Sequence, residues 1–388
     1  MKSGYRAART RRGFSIKDAV VVLVIIGVLL AVGFPTFVYI REQARSMQCE
    51  GNLRKIGQAL DRYKAADPSG TYPIGSGYDL ATKSSGVSWW AEIMPHAEGP
   101  SPSKWIETPN RGDFSRPTPN ENIKWVDGYQ PSIMFCPASS LPMFNDPLRH
   151  ISEANRQLLG DKKPVGIPVP MYSAVAGGAP DLRDNNLTKS TDAPAGRNTQ
   201  DGPWGILSDS GLFPPNKRVQ HAAIVDQKDK TIMVVEQSGY VQDHTVSLEP
   251  PDLYDVRSAW PRGAFMGTAG DYKDLKPTQT GINGDGGERC WNLTTVRYGI
   301  NYFITGKKGI VTDPPLPRPA KEGEEPPPPP PYPPEGYGPG HNHPITSPHP
   351  GGATVLMAGG GTKFLNQNID LIILLRMATR DDKIDVAD

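Results

Sequence analysis

The chain has 388 residues, with 42 basic against 41 acidic side chains and a net charge of +1. A protein without an overall positive field does not hold nucleic-acid phosphates well, so nucleic acid is excluded as the main partner. The chain has 41 glycines and 41 prolines, and only 37% of its residues are apolar, which favours short elements joined by long loops over a helical bundle.

The N-terminal segment has the pattern of a membrane anchor. Residues 1–12 carry basic side chains and no acidic one, and residues 19–40 carry no charge. A helix over residues 19–40 is about 33 Å long and covers a hydrocarbon core of about 30 Å. Basic residues stay on the cytoplasmic side, so the chain after residue 40 is predicted to lie outside the cytoplasm. A cleaved signal peptide is the rival interpretation, but its apolar region is shorter and precedes a small-residue cleavage site.

The helix is predicted to continue beyond the apolar run as an amphipathic extension, residues 41–67. It should end near Asp67, because the residue before a proline is pushed out of the helical region. Apolar residues recur there at spacings of three and four, with charged residues between them. These are Cys49, Leu53, Ile56, Leu60 and Tyr63.

The segment Arg11 to Ile16 (RRGFSI), followed by the apolar run, resembles the leader of type IV prepilins and pseudopilins. The resemblance implies cleavage between Gly13 and Phe14 by a prepilin peptidase, which also methylates the new terminal Phe14. Pro35 lies where pilin helices commonly carry a proline. The glutamate that pilins have five residues after the cut is replaced by Asp18. The resemblance implies that Phe14, Asp18 and Pro35 serve filament assembly, since a carboxylate in lipid needs a partner such as the amine of a neighbouring subunit.

An ordinary signal anchor remains the alternative for this segment. In that case Lys17 and Asp18 only mark the cytoplasmic interface of the membrane. Lys17 is atypical for the pilin pattern, and it is placed to neutralise Asp18 locally.

Several later segments resemble one bacterial prepilin-like family, which is built on domain of unknown function 1559. They are residues 49–60, 135–137, 172–178, 231–236 and 294–302. The family's late motif is a histidine, nine residues, then Asp-Gly. Here His349 is followed by Gly351 and Gly352, and Gly359 replaces the aspartate before Gly360.

The late motif predicts a β-hairpin, with strands over residues 353–357 and 362–365 and a glycine turn between them. A functional interpretation would make His349 a metal ligand or a hydrogen-bond partner of the motif aspartate. Because this chain lacks that aspartate, a structural histidine that orders the loop before the hairpin is favoured.

The predicted domain organisation is a leader (1–13), a transmembrane or filament-core helix (14–40) and its amphipathic extension (41–67). A globular head with long loops (68–312), a proline-rich loop (313–350) and a C-terminal hairpin with a short helix (351–388) follow. Strands are predicted at 133–135, 222–225, 231–235 and 296–302, and the terminal helix at 369–379. The fold class is therefore α+β, type IV pilin-like, with an antiparallel sheet packed on the long helix.

No catalytic motif and no cofactor fingerprint is present, so a non-enzyme without cofactors is predicted. Asn283, Asp285 and Glu288 are weak calcium candidates in a glycine-rich turn, but they lack EF-hand spacing and a plain turn is favoured. His341 and His343 lie in or beside the proline-rich loop, where solvated side chains are expected.

Tryptophans and cysteines complete the candidate residues. Trp89 and Trp90 are expected as core side chains rather than as a sugar-stacking face. Outside the cytoplasm a disulfide between two of Cys49, Cys136 and Cys290 is plausible, and the sequence leaves the pairing open.

The leading hypothesis is a prepilin-like structural protein, held in the inner membrane by one span with its head in the periplasm or at the cell surface. Its expected partners are the lipid bilayer, a prepilin peptidase and other pilin-like subunits in a type IV pilus or pseudopilus. The alternative is a membrane-tethered extracytoplasmic binding protein for carbohydrate or calcium that does not polymerise.

Overall fold

The computed structural model describes residues 16–97, 110–179, 198, 205–243, 252–268, 270, 289–302 and 340–381. The chain divides into two compact units, Met1–Ser46 and Met47–Asp388, and the second is called the head below. The described helices are α1 (Ile16–Ala66), α2 (Trp89–Ile93), α3 (Ile123–Val126), α4 (Pro147–His150), α5 (Glu153–Gln157) and α6 (Leu371–Met377). The described strands are β1 (Ser76–Asp79), β2 (Ser84–Ser88), β3 (Tyr172–Gly178), β4 (Ile232–Glu236), β5 (Val241–Asp243), β6 (Asp252–Tyr254), β7 (Leu293–Val296), β8 (Gly352–Met357) and β9 (Thr362–Asn366).

Helix α1 is 51 residues long and ends where the sequence predicts, one residue before Asp67. The Asp67 carboxylate accepts hydrogen bonds from the backbone and hydroxyl of Ser69, which closes the chain into a turn. In the first unit the apolar side chains of α1 are exposed, by 44% to 67% for the large ones between Val20 and Leu30. Within the residues described, no helix combines the length and the hydropathy of a membrane span.

The outer part of α1 belongs to the head and buries the predicted apolar stripe. Cys49, Leu53, Ile56 and Leu60 are fully buried, while Tyr63 at the end of the stripe is half-buried. Tyr63 instead donates a hydrogen bond of 2.5 Å from its hydroxyl to Glu92 of α2. The part of α1 from Met47 onward therefore packs within the head through its apolar stripe.

The head is built on a five-stranded sheet in the order β7-β3-β4-β8-β9. The pairs β3–β4, β4–β8 and β8–β9 are antiparallel, but β3 and β7 are parallel. The α+β class is confirmed, whereas the wholly antiparallel sheet is wrong. The chain between β3 and β7 is long enough to return to the same end of the sheet, which a parallel pair requires.

Both faces of this sheet are covered, because alternate residues of a strand point to opposite faces. Leu356 of β8 belongs to the apolar cluster that contains α1, Trp89 and Trp90, whereas Val355 belongs to the cluster that contains α6. Trp89 and Trp90 stack with ring centroids 4.3 Å apart and are fully buried, so their predicted core role is confirmed.

The hairpin β8–β9, strand β4 and helix α6 lie within a few residues of their predicted positions. The strands predicted at 133–135 and 222–225 are wrong, since 3₁₀ turns occupy 132–134 and 221–223. Consecutive residues Ile133 and Met134 are both buried, and Val225 is 60% exposed, so neither segment has the alternation of a half-buried strand. The strand predicted at 296–302 lies earlier, at Leu293–Val296.

Candidate functional site

The site is built around His349, the first residue of the late motif. Gly351 has a φ of +84°, a left-handed conformation that glycine adopts without strain, and it turns the chain into β8. The Gly351 carbonyl accepts a 2.9 Å hydrogen bond from the amide of Gln367, which closes the open end of the hairpin. Gly360, with the same φ, forms the turn at the other end. His349 is held before the hairpin and is buried.

Four side chains from four separate parts of the chain meet at this point. His349 Nε2 lies 3.6 Å from Cys136 Sγ and 3.8 Å from Glu236 Oε1. Cys136 is bonded to Cys49 of α1 in a disulfide, and the third cysteine, Cys290, is buried and is not part of this disulfide. We call Cys49, Cys136, Glu236 and His349 the disulfide–histidine cluster. Its residues all come from segments that carry the family resemblance.

Glu236 is a fully buried carboxyl group at the end of β4. It accepts hydrogen bonds from the Ser238 hydroxyl and, at 3.3 Å, from the Thr354 amide. Burial raises its pKa, and the Ser238 hydrogen bond and the nearby His349 oppose that rise. Glu236 is thus a buried carboxyl group with a raised pKa, and it lies beside the imidazole of His349 and the disulfide.

Two further hydrogen bonds fix α1 at the disulfide. The Asn52 side-chain amide donates to the Phe135 carbonyl at 2.8 Å, next to Cys136. The Tyr172 hydroxyl of β3 donates to the Cys49 carbonyl at 3.4 Å. The disulfide is therefore surrounded by buried or partly buried hydrogen bonds that join α1 to the rest of the head.

The donor atoms of the cluster lie within 4.8 Å of one another and are of the types that zinc prefers. Zinc takes cysteine as thiolate, however, and here the two Sγ atoms are bonded to each other. In the disulfide form the cluster offers one imidazole and one carboxylate, fewer ligands than a structural zinc site uses. The arrangement supports a structural role for His349, as the sequence favours.

Gly359 stands where the family motif has an aspartate, and the structure shows what fills the space. A Cβ atom at this position would lie 2.2 Å from Oδ1 of Asp229, a residue of the turn that precedes β4. The Gly359 amide also donates to the Lys228 carbonyl at 3.1 Å. A carboxylate supplied by this neighbouring turn therefore lies beside the position where the motif places one.

His341 and His343 are buried, so the expectation of solvated side chains is wrong. Residues 340–347, which belong to the predicted proline-rich loop, are all buried rather than exposed. His343 accepts a 2.8 Å hydrogen bond from Arg289, and His341 Nε2 accepts one of 3.1 Å from the Cys290 amide. Burial and the charge of Arg289 lower the pKa of His341 to about 3, so it is neutral at physiological pH. These histidines tie the chain before β8 to β7, since Thr295 donates its amide to the His341 carbonyl.

The remaining predicted site residues are not brought together by the described structure. Gly13 and Phe14, and the calcium candidates Asn283, Asp285 and Glu288, lie outside the described residues. Asp18 and Pro35 belong to helix α1. Sequence reasoning did not select Glu236, although an acidic residue that ends an otherwise apolar strand is a signal that could have found it.

Comparison with known proteins places the chain in one family. The family SBP_bac_10, described as a protein of unknown function (DUF1559), matches residues 39–371. No curated protein and no solved structure matches the chain. The matched range includes the whole disulfide–histidine cluster and the hairpin β8–β9. The chain belongs to the DUF1559 family.

Proposed function

We propose that the protein is a prepilin-like structural subunit, anchored in the inner membrane by the first part of α1 and then assembled into a type IV pilus or pseudopilus. The head lies outside the cytoplasm. A prepilin peptidase removes residues 1–13, which leaves Phe14 as the N-terminus. The protein carries out no reaction of its own and needs no cofactor.

The observation that carries this proposal is the contrast between two parts of α1. The apolar side chains from Val20 to Leu30 are exposed, whereas those from Cys49 to Leu60 are buried in the head. A continuous apolar surface of this extent on a single chain indicates a partner that removes it from water. Residues 19–40 carry no charge, and basic residues precede them, so the first partner is lipid and the later partners are the same helices of other subunits.

Cleavage by the prepilin peptidase is tested by determining the N-terminus of the protein in cells. The full chain is expressed with a C-terminal tag in a bacterium that has a prepilin peptidase and in a strain that lacks the peptidase, and its intact mass and terminal sequence are measured. We expect a methylated Phe14 terminus in the first strain and the uncut chain in the second. A chain that keeps Met1 in both strains and is found in the cytosol refutes the proposal.

A matched pair of leucines tests the anchor. Leu30 in the apolar run is 66% exposed and Leu80 in the head is 64% exposed, so exposure alone does not distinguish them. Leu30→Lys is expected to weaken retention in carbonate-washed membranes, because a lysine in the centre of a span costs about 3 kcal/mol. Leu80→Lys should leave retention unchanged, and equal effects of the two changes would contradict a lipid role.

Shearing of whole cells tests assembly against the alternative of a tethered binding protein. A filament subunit is released into the sheared fraction as fibres that electron microscopy and mass spectrometry identify. A tethered monomer stays with the membranes. Asp18→Ala is expected to reduce release without reducing cleavage, because it removes the carboxylate that would pair with the neighbouring subunit's terminal amine.

A further inference from the structure

A cleft on the head surface gathers basic side chains from three separate parts of the chain. It has a volume of about 490 Å³, which is within the usual range for small-molecule sites. Its lining is Ser115, Arg116, Pro117, Arg149, His150 and Arg262. We call it the arginine cleft. Like charges repel, so three arginines that line one cleft indicate a place prepared for negative charge.

Arg116 is held in position by a buried acid. Its Nε lies 3.3 Å from Oδ2 of Asp113, which is only 3% exposed. The other Asp113 oxygen accepts hydrogen bonds from the amide and hydroxyl of Ser115, at 2.9 and 2.6 Å. Asp113 thus neutralises one of the three arginines and leaves the terminal nitrogens of that guanidinium available to the cleft.

The other two arginines differ from Arg116 in their surroundings. Within the described residues, neither Arg149 nor Arg262 forms an ion pair with a carboxylate. Asp146 precedes α4 in the chain, and its carboxylate caps this helix by accepting a hydrogen bond from the Leu148 amide at 2.9 Å. The side chains that line the cleft within the described residues therefore carry an excess of positive charge.

His150 adds hydrogen-bonding capacity to the cleft without adding charge. Burial lowers its pKa to about 4, and Arg262 and Arg149 act in the same direction, so its ring is neutral at physiological pH. A neutral imidazole has one donor nitrogen and one acceptor nitrogen. It can therefore bond a hydroxyl group that accompanies an anionic group.

One lining residue of the cleft, His150, is connected through Trp260 to the head core. The Trp260 ring packs edge-on against the His150 ring, with centroids 5.9 Å apart. The Arg257 guanidinium lies 5.8 Å from the centroid of the same Trp260 ring. Arg257 is fully buried and bonds both oxygens of Asp255, at 2.9 and 3.1 Å from Nε. Arg262 follows two residues after Trp260. A rigid base of this kind lowers the entropy lost when a ligand is bound.

We propose that the arginine cleft binds a compact polar ligand, of about the size of a sugar unit, through a carboxylate or phosphate group. Arg149 and Arg262 bond the oxyanion, since the planar guanidinium fork matches both groups in geometry. Arg116, Ser115 and His150 contact the polar body of the ligand. A uronic acid and a phosphorylated sugar share this chemistry. Binding at this cleft involves the head alone and does not depend on membrane anchoring or assembly.

The test measures binding to the full chain in non-ionic detergent by titration calorimetry. The probes are glucuronate, glucose 1-phosphate and uncharged glucose. The test variant is the double change Arg149→Ala and Arg262→Ala. The matched control is Arg54→Ala, since Arg54 is an exposed arginine outside the cleft that pairs with Glu50 at 2.6 Å. Circular dichroism and the urea midpoint establish that both variants are folded.

We expect at least one anionic probe to bind with a Kd of about 1 mM or lower and glucose not to bind. The double variant should lose at least about tenfold in affinity, whereas Arg54→Ala should bind as the wild type does. The more tightly bound anion identifies a carboxylate or a phosphate source. Unchanged affinity in the double variant, equal binding of glucose, or no binding of either anion at about 10 mM would overturn the proposal.

Discussion

The disulfide between Cys49 and Cys136 should supply a large part of the stability of the head. The two cysteines are 87 residues apart, and both are buried. Closing a loop of that length removes conformational entropy from the unfolded chain, equivalent to about 4.6 kcal/mol at 25 °C. Net stabilities of folded proteins are about 5–15 kcal/mol, so reduction is expected to bring the head close to its unfolding threshold.

The assay is urea unfolding of the full chain in detergent, with and without a phosphine reductant. If the urea dependence is about 3 kcal/mol/M, reduction lowers the midpoint by roughly 1.5 M. The double variant Cys49→Ala and Cys136→Ala should unfold near the reduced wild type and should not respond to the reductant. Cys290→Ala is the control, because it removes a buried cysteine outside the disulfide and should keep the full response. A midpoint that is the same with and without reductant would refute the loop-closure reasoning.

Three other changes test the core. Glu236→Gln should flatten the pH dependence of the unfolding free energy. The pKa of Glu236 in the folded state is raised above 4.5, so the wild type loses stability as the pH rises from 4.5 through that raised value. Urea unfolding at a series of pH values measures the difference. Gly352→Ala places a Cβ 2.0 Å from a β9 carbonyl oxygen and should cost about 3 kcal/mol in unfolding free energy, whereas Gly361→Ala, with open space around it, should be nearly neutral. Asp255→Asn leaves the charge of Arg257 buried without its partner and should cost about 3–5 kcal/mol, and an unchanged melting temperature would contradict that pairing.

The sequence predicts the elements whose signals are local. The hairpin β8–β9 follows from apolar strands around a glycine turn, and α6 follows from helical spacing after Asp370, whose carboxylate accepts from the Ile372 amide at 2.8 Å. The outer half of α1 follows from its apolar stripe. In each case the residues that determine the element lie within one or two turns of chain.

Features that depend on distant segments could not be predicted in the same way. Strands β5 and β6 have only three residues each, too few to show a period of two. The histidines before β8 were expected in solvent because prolines surround them in sequence, but their burial depends on Arg289 and on the parallel strand β7. The three possible cysteine pairings are equivalent in sequence, and only the packing of α1 on the head selects one.

The disulfide at Cys49 affects how the head responds to a pulling force on α1, because this helix continues N-terminally from Cys49 to Ile16. Cys49 is the first residue of the apolar stripe of α1, so tension transmitted along the helix reaches the disulfide before it reaches the rest of the stripe. Peeling the helix away residue by residue from its N-terminal side is thereby blocked. The head should resist traction until the sulfur bridge is reduced, after which the helix can be stripped off at a much lower force.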